Sequence, residues 1–466
     1  MFRANASSVA ILMAAGVFGC GGDSPPAIGA ERGACFPNST CNTGLTCLSN
    51  FCVKVDVDAA AGGPVVDAAV DAGGKDARAS EVVPEVAFQP AAHPRLPQVA
   101  NRGGPVLDSP KVRPIFFAGD PDIGEIESFL GELTRTGYWS ETTSEYGVGP
   151  LVLQPTEIIM RLAPPTMPST VLSSLLTDST SGLKPAWGAP DPSTIYMFVL
   201  PQGSIVTFSN GATCCSDFGG YHSEALSSGP DNLPYAVICS CPAAFGLNLT
   251  PLQARTTTIS HELVEAATDP FPSSNPAYWG TDQANIIWTL VTGGELADMC
   301  GFHPDQNFVP PGSKYMVQRS WSNAAARRSH NPCVPQRTAA PYFNSYPTLN
   351  AITFGAKPDD FTTQGIRVPI GQSKTIDIAL SSNAPTDRRW SVGMYTYEDL
   401  RGGDPSSLGL LLDKNTGWNG DILKLTISPK KLNPELGGQA FIIMSRYGEI
   451  GDADFQTNVT MGLVKN

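Results

Sequence analysis

The sequence predicts an α+β domain followed by an all-β sandwich. Three features carry that prediction. One long segment, Thr250 to Asp269, has helical periodicity and a helix-bounding residue at each end. Short apolar runs of strand length precede it. Residues 341–466 alternate apolar and polar side chains, with turn residues between the runs. A helix buries a stripe at a period of 3.6 and a half-buried strand buries every second residue, so the two regions separate by period.

Taken in order, residues 1–20 look like a bacterial lipoprotein signal peptide. Arg3 supplies the positive start, Val9 to Phe18 an apolar run too short to cross a bilayer, and Gly19-Cys20 the acylation point. More than one acyl chain on Cys20 would anchor the chain stably to a membrane. Phe18 departs from the small residue usual before Gly-Cys, which keeps a secreted product as the alternative. Residues 30–53 hold Cys35, Cys41, Cys47 and Cys52 and read as a small disulfide module. Residues 54–93 read as a flexible tether, because near-repeats such as Val66-Asp67-Ala68-Ala69 cannot bury enough apolar surface to offset their ordering entropy.

The α+β domain is expected over residues 94–340. Val112 to Phe117 reads as a buried strand, and Ile123, Ile126, Phe129, Leu130 and Leu133 follow at helical spacing. Further strands are expected at residues 151–153, 158–162, 195–200 and 235–239. Thr250-Pro251 is a sound start for a helix, with Pro at its first position, and Pro270 ends it. In residues 341–466, Ile376, Ile378 and Leu380 alternate with polar neighbours, as do Trp390, Val392 and Met394, and Leu423, Leu425 and Ile427. Asn419-Gly420 and Gly402-Gly403 mark turns, and about seven strands fit a sandwich. Asp413, Asn415, Asn419 and Asp421 lack the spacing of a calcium loop and read as turn residues.

Composition narrows the partners. A formal net charge of -13 leaves no basic face to neutralise phosphates, so nucleic acid is excluded as a partner. The chain has 11 cysteines; with Cys20 assigned to lipid, two even sets remain, the second being Cys214, Cys215, Cys239, Cys241, Cys300 and Cys333. Even sets imply disulfides and an oxidising compartment.

The chemistry concentrates in His261-Glu262-Leu263-Val264-Glu265. Residues four apart on a helix lie one above the other, so His261 and Glu265 could grip one cation while Glu262 stands beside it. This is the zinc-peptidase H-E-x-x-H helix with the second histidine replaced by glutamate, which makes the expected α+β domain zincin-like, of metalloprotease type. A third ligand is expected from Glu295-Leu296-Ala297-Asp298-Met299-Cys300, with Asp298 preferred to Glu295. His222, in a Gly- and Cys-rich loop, and His303 are the other candidates.

These residues, with Thr268-Asp269-Pro270 after the helix and Gly220-Tyr221-His222 before it, resemble a group of secreted bacterial and fungal metalloprotease-like proteins. More distantly they resemble the plant phosphate-induced, Exordium-like secreted proteins, whose similar helix carries His-Glu-Leu-Ala. The resemblance spans about Val112 to Cys333 and implies a metal site more than it implies a reaction.

The expected function is a cell-surface or secreted metal-dependent hydrolase, a peptidase first of all. His261, Glu265 and Asp298 would hold one divalent metal, and Glu262 would act as general base on a metal-bound water. Zinc is the expected ion. Two carboxylates bring the site near neutrality and also suit calcium or manganese. The expected partners are the membrane, through Cys20, and a peptide or cell-surface polymer. The alternative is a non-catalytic envelope-binding protein on a degenerate metalloprotease fold.

Overall fold

The computed structural model describes residues 87–466, apart from residues 228, 230, 242–248, 337–340, 355–360, 402–406, 432–437, 450, 451 and 453. It also describes a separate hairpin, Thr46–Leu48 paired with Phe51–Val53. The expected signal peptide with Cys20, the pairing of the first four cysteines and the tether as far as residue 86 lie outside the described residues. Residues 87–93, expected as the end of the tether, are instead held against the sandwich, where the Ala91 N–H donates to Asn419 Oδ1 and Ser381 Oγ donates to Ala91 O.

The first half of the larger unit is built on a mixed sheet. Its strand order is Gly220–Ala225, Leu233–Ile238, Thr194–Val199, Lys111–Phe117 and Val152–Leu153, with Glu157–Ile159 also on Lys111–Phe117. Every neighbouring pair is parallel except at one edge, where Gly220–Ala225 runs antiparallel to Leu233–Ile238. Both faces are covered, which is why the inner strands read as unbroken apolar runs. On one face Phe116, Met197, Val199 and Ile238 pack with Ile126 and Phe129 of helix Ile123–Leu133 and with Ile259 and Leu263 of helix Pro251–Thr268. On the other, Phe117, Phe198 and Val237 pack with Leu172 and Leu176 of helix Ser169–Thr180.

The helix Pro251–Thr268 (the site helix) starts as its sequence requires. Thr250 accepts from the Gln253 N–H, Gln253 reaches back to the Thr250 N–H, and Pro251 needs no partner at the first position. It is buried on nearly all sides: Arg255, Glu262 and Glu265 are each less than 5% exposed. Arg255 is clamped by Asp120 through contacts of 2.5 and 3.2 Å, and by Asp122 at 2.7 Å.

All six cysteines of this unit are disulfide-bonded, Cys214 to Cys239, Cys215 to Cys241 and Cys300 to Cys333. The first two pairs tie the loop before the edge strand to the segment after Leu233–Ile238. The third fixes the Glu295–Cys300 segment.

Residues after 341 form two sheets. One has the order Phe343–Pro347, Lys374–Ser382, Ile422–Pro429, Leu408–Leu412. The other runs Asn350–Phe354, Phe361–Arg367, Gln456–Lys465, Gln439–Tyr447, Trp390–Thr396, Thr416–Gly417. Phe343, Leu380, Trp390, Leu425 and Phe441 share the core between them. The opposite face of the second sheet is buried too, since Ile442, Met461 and Leu463 join the core that contains Ile287 and Trp288. Asp413, Asn419 and Asp421 accept backbone N–H groups, as turn residues do.

The fold class differs from the sequence expectation. Among the described residues, strands hold 35% and helices 21%, spread over many sheets, so this part of the protein is mostly β and shows no zincin-like helical domain. The reason is a difference in legibility. The one long helix carries strong capping signals, while strands such as Val99–Asn101, Asn307–Phe308 and Val317–Gln318 are two or three residues long and show no period. Their sum outweighs the helix.

Candidate metal centre

The site helix presents two side chains, His261 and Glu265, to one interior point, where Asp298 joins them. His261 Nε2 lies 3.1 Å from Glu265 Oε2, one turn on, and 3.6 Å from Asp298 Oδ1. One ligand atom from each of these three residues falls within 4.8 Å of the others. Glu265 is locked there, because its Oε1 accepts the N–H groups of Ala297 and Asp298, each at 3.1 Å, leaving Oε2 to face the imidazole.

The His261 ring is oriented from behind. Gln318 donates Nε2–H to Ala297 O at 2.9 Å, so its Oε1, 3.2 Å from His261 Nδ1, is the acceptor there. A ring that donates from Nδ1 keeps the lone pair of Nε2 for a cation. Gln318 is itself held by its N–H to Ser260 Oγ at 2.9 Å. Sequence reading missed Gln318, and a single Gln in a two-residue strand offers no signal.

Asp298 reaches the centre because Gly293 has no side chain. A Cβ there would lie 2.1 Å from Asp298 Oδ2, and φ of +110° suits glycine alone. A Cβ on Gly220 would likewise meet Glu262 Oε1 at 2.9 Å. The two glycines leave room for carboxylates, and the donor set of one imidazole and two carboxylates fits a divalent cation.

The other expected residues have distinct places. His222 is on the edge strand Gly220–Ala225, not in a loop; Gly-Tyr-His-Ser-Glu-Ala has too little apolar alternation to show as a strand. Its Nδ1 lies 3.8 Å from both Glu262 Oε2 and Glu265 Oε2, and its Nε2 3.3 Å from Glu295 Oε1. Glu295 therefore lies with His222, and Asp298 with His261. His303 stands apart, buried with Nδ1 3.0 Å from Thr457 O. Asp269, at the C-terminal end of the site helix, belongs to the Thr-Asp-Pro motif but was not assigned to the site from the sequence; its Oδ1 accepts the Ala277 N–H at 2.7 Å.

Five carboxylates and two imidazoles thus share one buried pocket, and their proton affinities respond. Burial opposes charge on His222, but Glu295, Glu262 and Glu265 outweigh it and push the ring up to about 10. Burial likewise opposes charge on His261, and Glu265 reverses it, holding the ring well above its ordinary value. Burial raises Glu262, Glu295 and Asp298, whereas the imidazole of His261, prevailing over burial, keeps Glu265 low. Opposed groups of this kind mark functional sites more often than structural ones.

The centre is open on one side. The side chain of Asp298 is 26% exposed and that of His261 18%, against 3% for Glu265. Two surface cavities, of about 450 and 820 Å³, are lined by none of these residues.

No protein-family model matches the chain, and no curated protein matches it in sequence. Among solved structures, domains 4 and 5 of the S-layer protein SbsC match at 12% identity and a TM-score of 0.15, covering 34% of this chain and 90% of that one. The structure of domains 1–6 of SbsC matches at 9% identity and a TM-score of 0.15, covering 34% of this chain and 25% of that one. Likeness at that level carries no argument about fold or function.

Proposed function

We propose that this protein is a metal-dependent hydrolase of the bacterial cell envelope, acting on peptides or on a cell-surface polymer. The observation that carries the reading is the convergence of His261, backbone-locked Glu265 and Asp298, with Glu262 one residue from His261 on the same buried helix. A divalent ion held by the three, zinc by preference and manganese or calcium by the oxygen-rich donor set, supplies Lewis acidity toward water and a carbonyl oxygen. The chain's own residues do the rest. Glu262 takes a proton from the attacking water, and its buried setting, which raises its proton affinity, favours that role. Gln318 fixes the His261 ring. The partial exposure of His261 and Asp298 gives a substrate its approach.

Two measurements test the reading. The purified protein should contain a divalent ion that His261→Ala loses, and chelation should lower its unfolding temperature, since a ligand bound to the native state alone stabilises it. Metal without turnover of any peptide or polymer library would instead favour a surface-binding protein, and a chain that ignores chelator would sink the assignment. The envelope location rests on Cys20 and on the three disulfides, which need an oxidising compartment. Cys20→Ser should move the protein from the membrane fraction to the soluble fraction; unchanged fractionation rules the lipid anchor out.

A further inference from the structure

Beside the His261 centre lies a second set of donors. His222, Asp269 and Glu295 each bring one ligand atom within 4.8 Å of the other two. They come from three separate elements: the edge strand, the end of the site helix and the segment held by the Cys300–Cys333 disulfide. Two of their atoms have no hydrogen-bond partner although fully buried. These are His222 Nε2, which lies 3.3 Å from Glu295 Oε1 without hydrogen-bond geometry, and Asp269 Oδ2. The His222 side chain is 4% exposed and Asp269 1%.

A buried, unsatisfied carboxylate oxygen is costly, and a neighbouring unsatisfied imidazole adds to that cost. Such groups persist where an ion completes them. The His261 centre draws on a different set of three donors and shares no residue with this one, while a further combination, His222 with Glu262 and Glu265, joins the two. The two sets adjoin, however: Glu265 Oε2 is 3.1 Å from His261 Nε2 and 3.8 Å from His222 Nδ1.

We propose that His222, Asp269 and Glu295 bind a second divalent cation, so that the protein holds a two-ion centre with Glu265 between the two donor sets. The second site is the more enclosed of the two. It is built to hold an ion as a clasp joining the edge strand, the end of the site helix and the Glu295 segment, while the His261 site keeps the open side. One imidazole and two carboxylates match a hard or borderline ion, and Mn²⁺ suits both sets. The proposal stands on the second donor set alone and does not require the hydrolase reading.

The experiment is a titration of chelator-stripped full-length protein with Mn²⁺ alone, following the loss of the aqueous Mn²⁺ electron paramagnetic resonance signal. Two ions should bind per chain. Asp269→Asn keeps the acceptor for the Ala277 N–H, so it should fold and bind one. Glu295→Gln should also bind one and serves if Asp269→Asn does not fold, with far-ultraviolet circular dichroism as the check. His261→Ala should bind one, through the second site. Two ions retained in both Asp269→Asn and Glu295→Gln, or one ion in the parent that both keep, overturns the second site. One ion that is lost in Asp269→Asn and Glu295→Gln but kept in His261→Ala supports the second site and overturns the first. No ion bound at all removes both.

Discussion

Glu262→Gln should leave the protein folded and its cations bound while slowing hydrolysis roughly 10²–10⁴-fold, the usual contribution of general acid–base catalysis. Gln has the size of Glu and keeps the hydrogen-bonding carbonyl, but it cannot take a proton from water. Stability should not fall, because burial already penalises the Glu262 charge and the neutral amide escapes that penalty. The loss should appear in kcat and not in KM, since the residue acts on the reacting water and not on the bound substrate. The first-site ion should be retained, as Glu262 is not one of its three donors. A variant with full activity would remove Glu262 from the chemistry, and a variant that loses the His261-dependent ion would make it a ligand.

How much of this was legible in the sequence follows from where each signal resides. The site helix was legible because its information is local: Thr250 and Pro251 write its start, and the spacing of His261 and Glu265 puts both on one face. The buried strands Lys111–Phe117, Thr194–Val199 and Leu233–Ile238 were legible as apolar runs, since a sheet covered on both faces leaves no polar alternation. The edge strand was not. Its residues Gly220, Tyr221, His222, Ser223 and Glu224 show no apolar alternation, and only their pairing with Leu233–Ile238 makes them a strand. Asp269 reads as a helix terminator, and nothing local says that one of its oxygens is left over in the interior. Gln318 is 57 residues from His261, so no spacing rule joins them. The fold class failed for a related reason: the helix advertises itself, while most of the β structure consists of short or doubly buried strands whose identity depends on partners distant in sequence.

Arg255→Ala should be the most damaging single substitution to stability among these residues, by about 3–5 kcal/mol, the range for removing one partner of a buried ion pair. Arg255 is 1% exposed, and its guanidinium meets both oxygens of Asp120, whose side chain is fully buried, with a further contact to Asp122, whose side chain is 38% exposed. The Asp120 half dominates, because an exposed partner such as Asp122 is screened by water. Truncation leaves the Asp120 carboxylate in the interior with its cation gone, and that penalty exceeds the value of the contact itself. Arg255→Lys should recover only part, since one ammonium cannot span both oxygens as the planar fork does. Asp120→Asn in the Arg255→Ala background should also recover part, by removing the stranded charge, and that recovery separates charge burial from lost packing. The denaturant midpoint of each variant measures the effect, and a cost below about 1 kcal/mol for Arg255→Ala would show that water or another cation reaches Asp120. The consequence extends to the metal centre. Arg255 lies six residues before His261 on the same helix, and its clamp joins that helix to the loop after strand Lys111–Phe117. Arg255→Ala should therefore weaken cation binding only in step with unfolding, whereas His261→Ala removes an ion from a chain that stays folded.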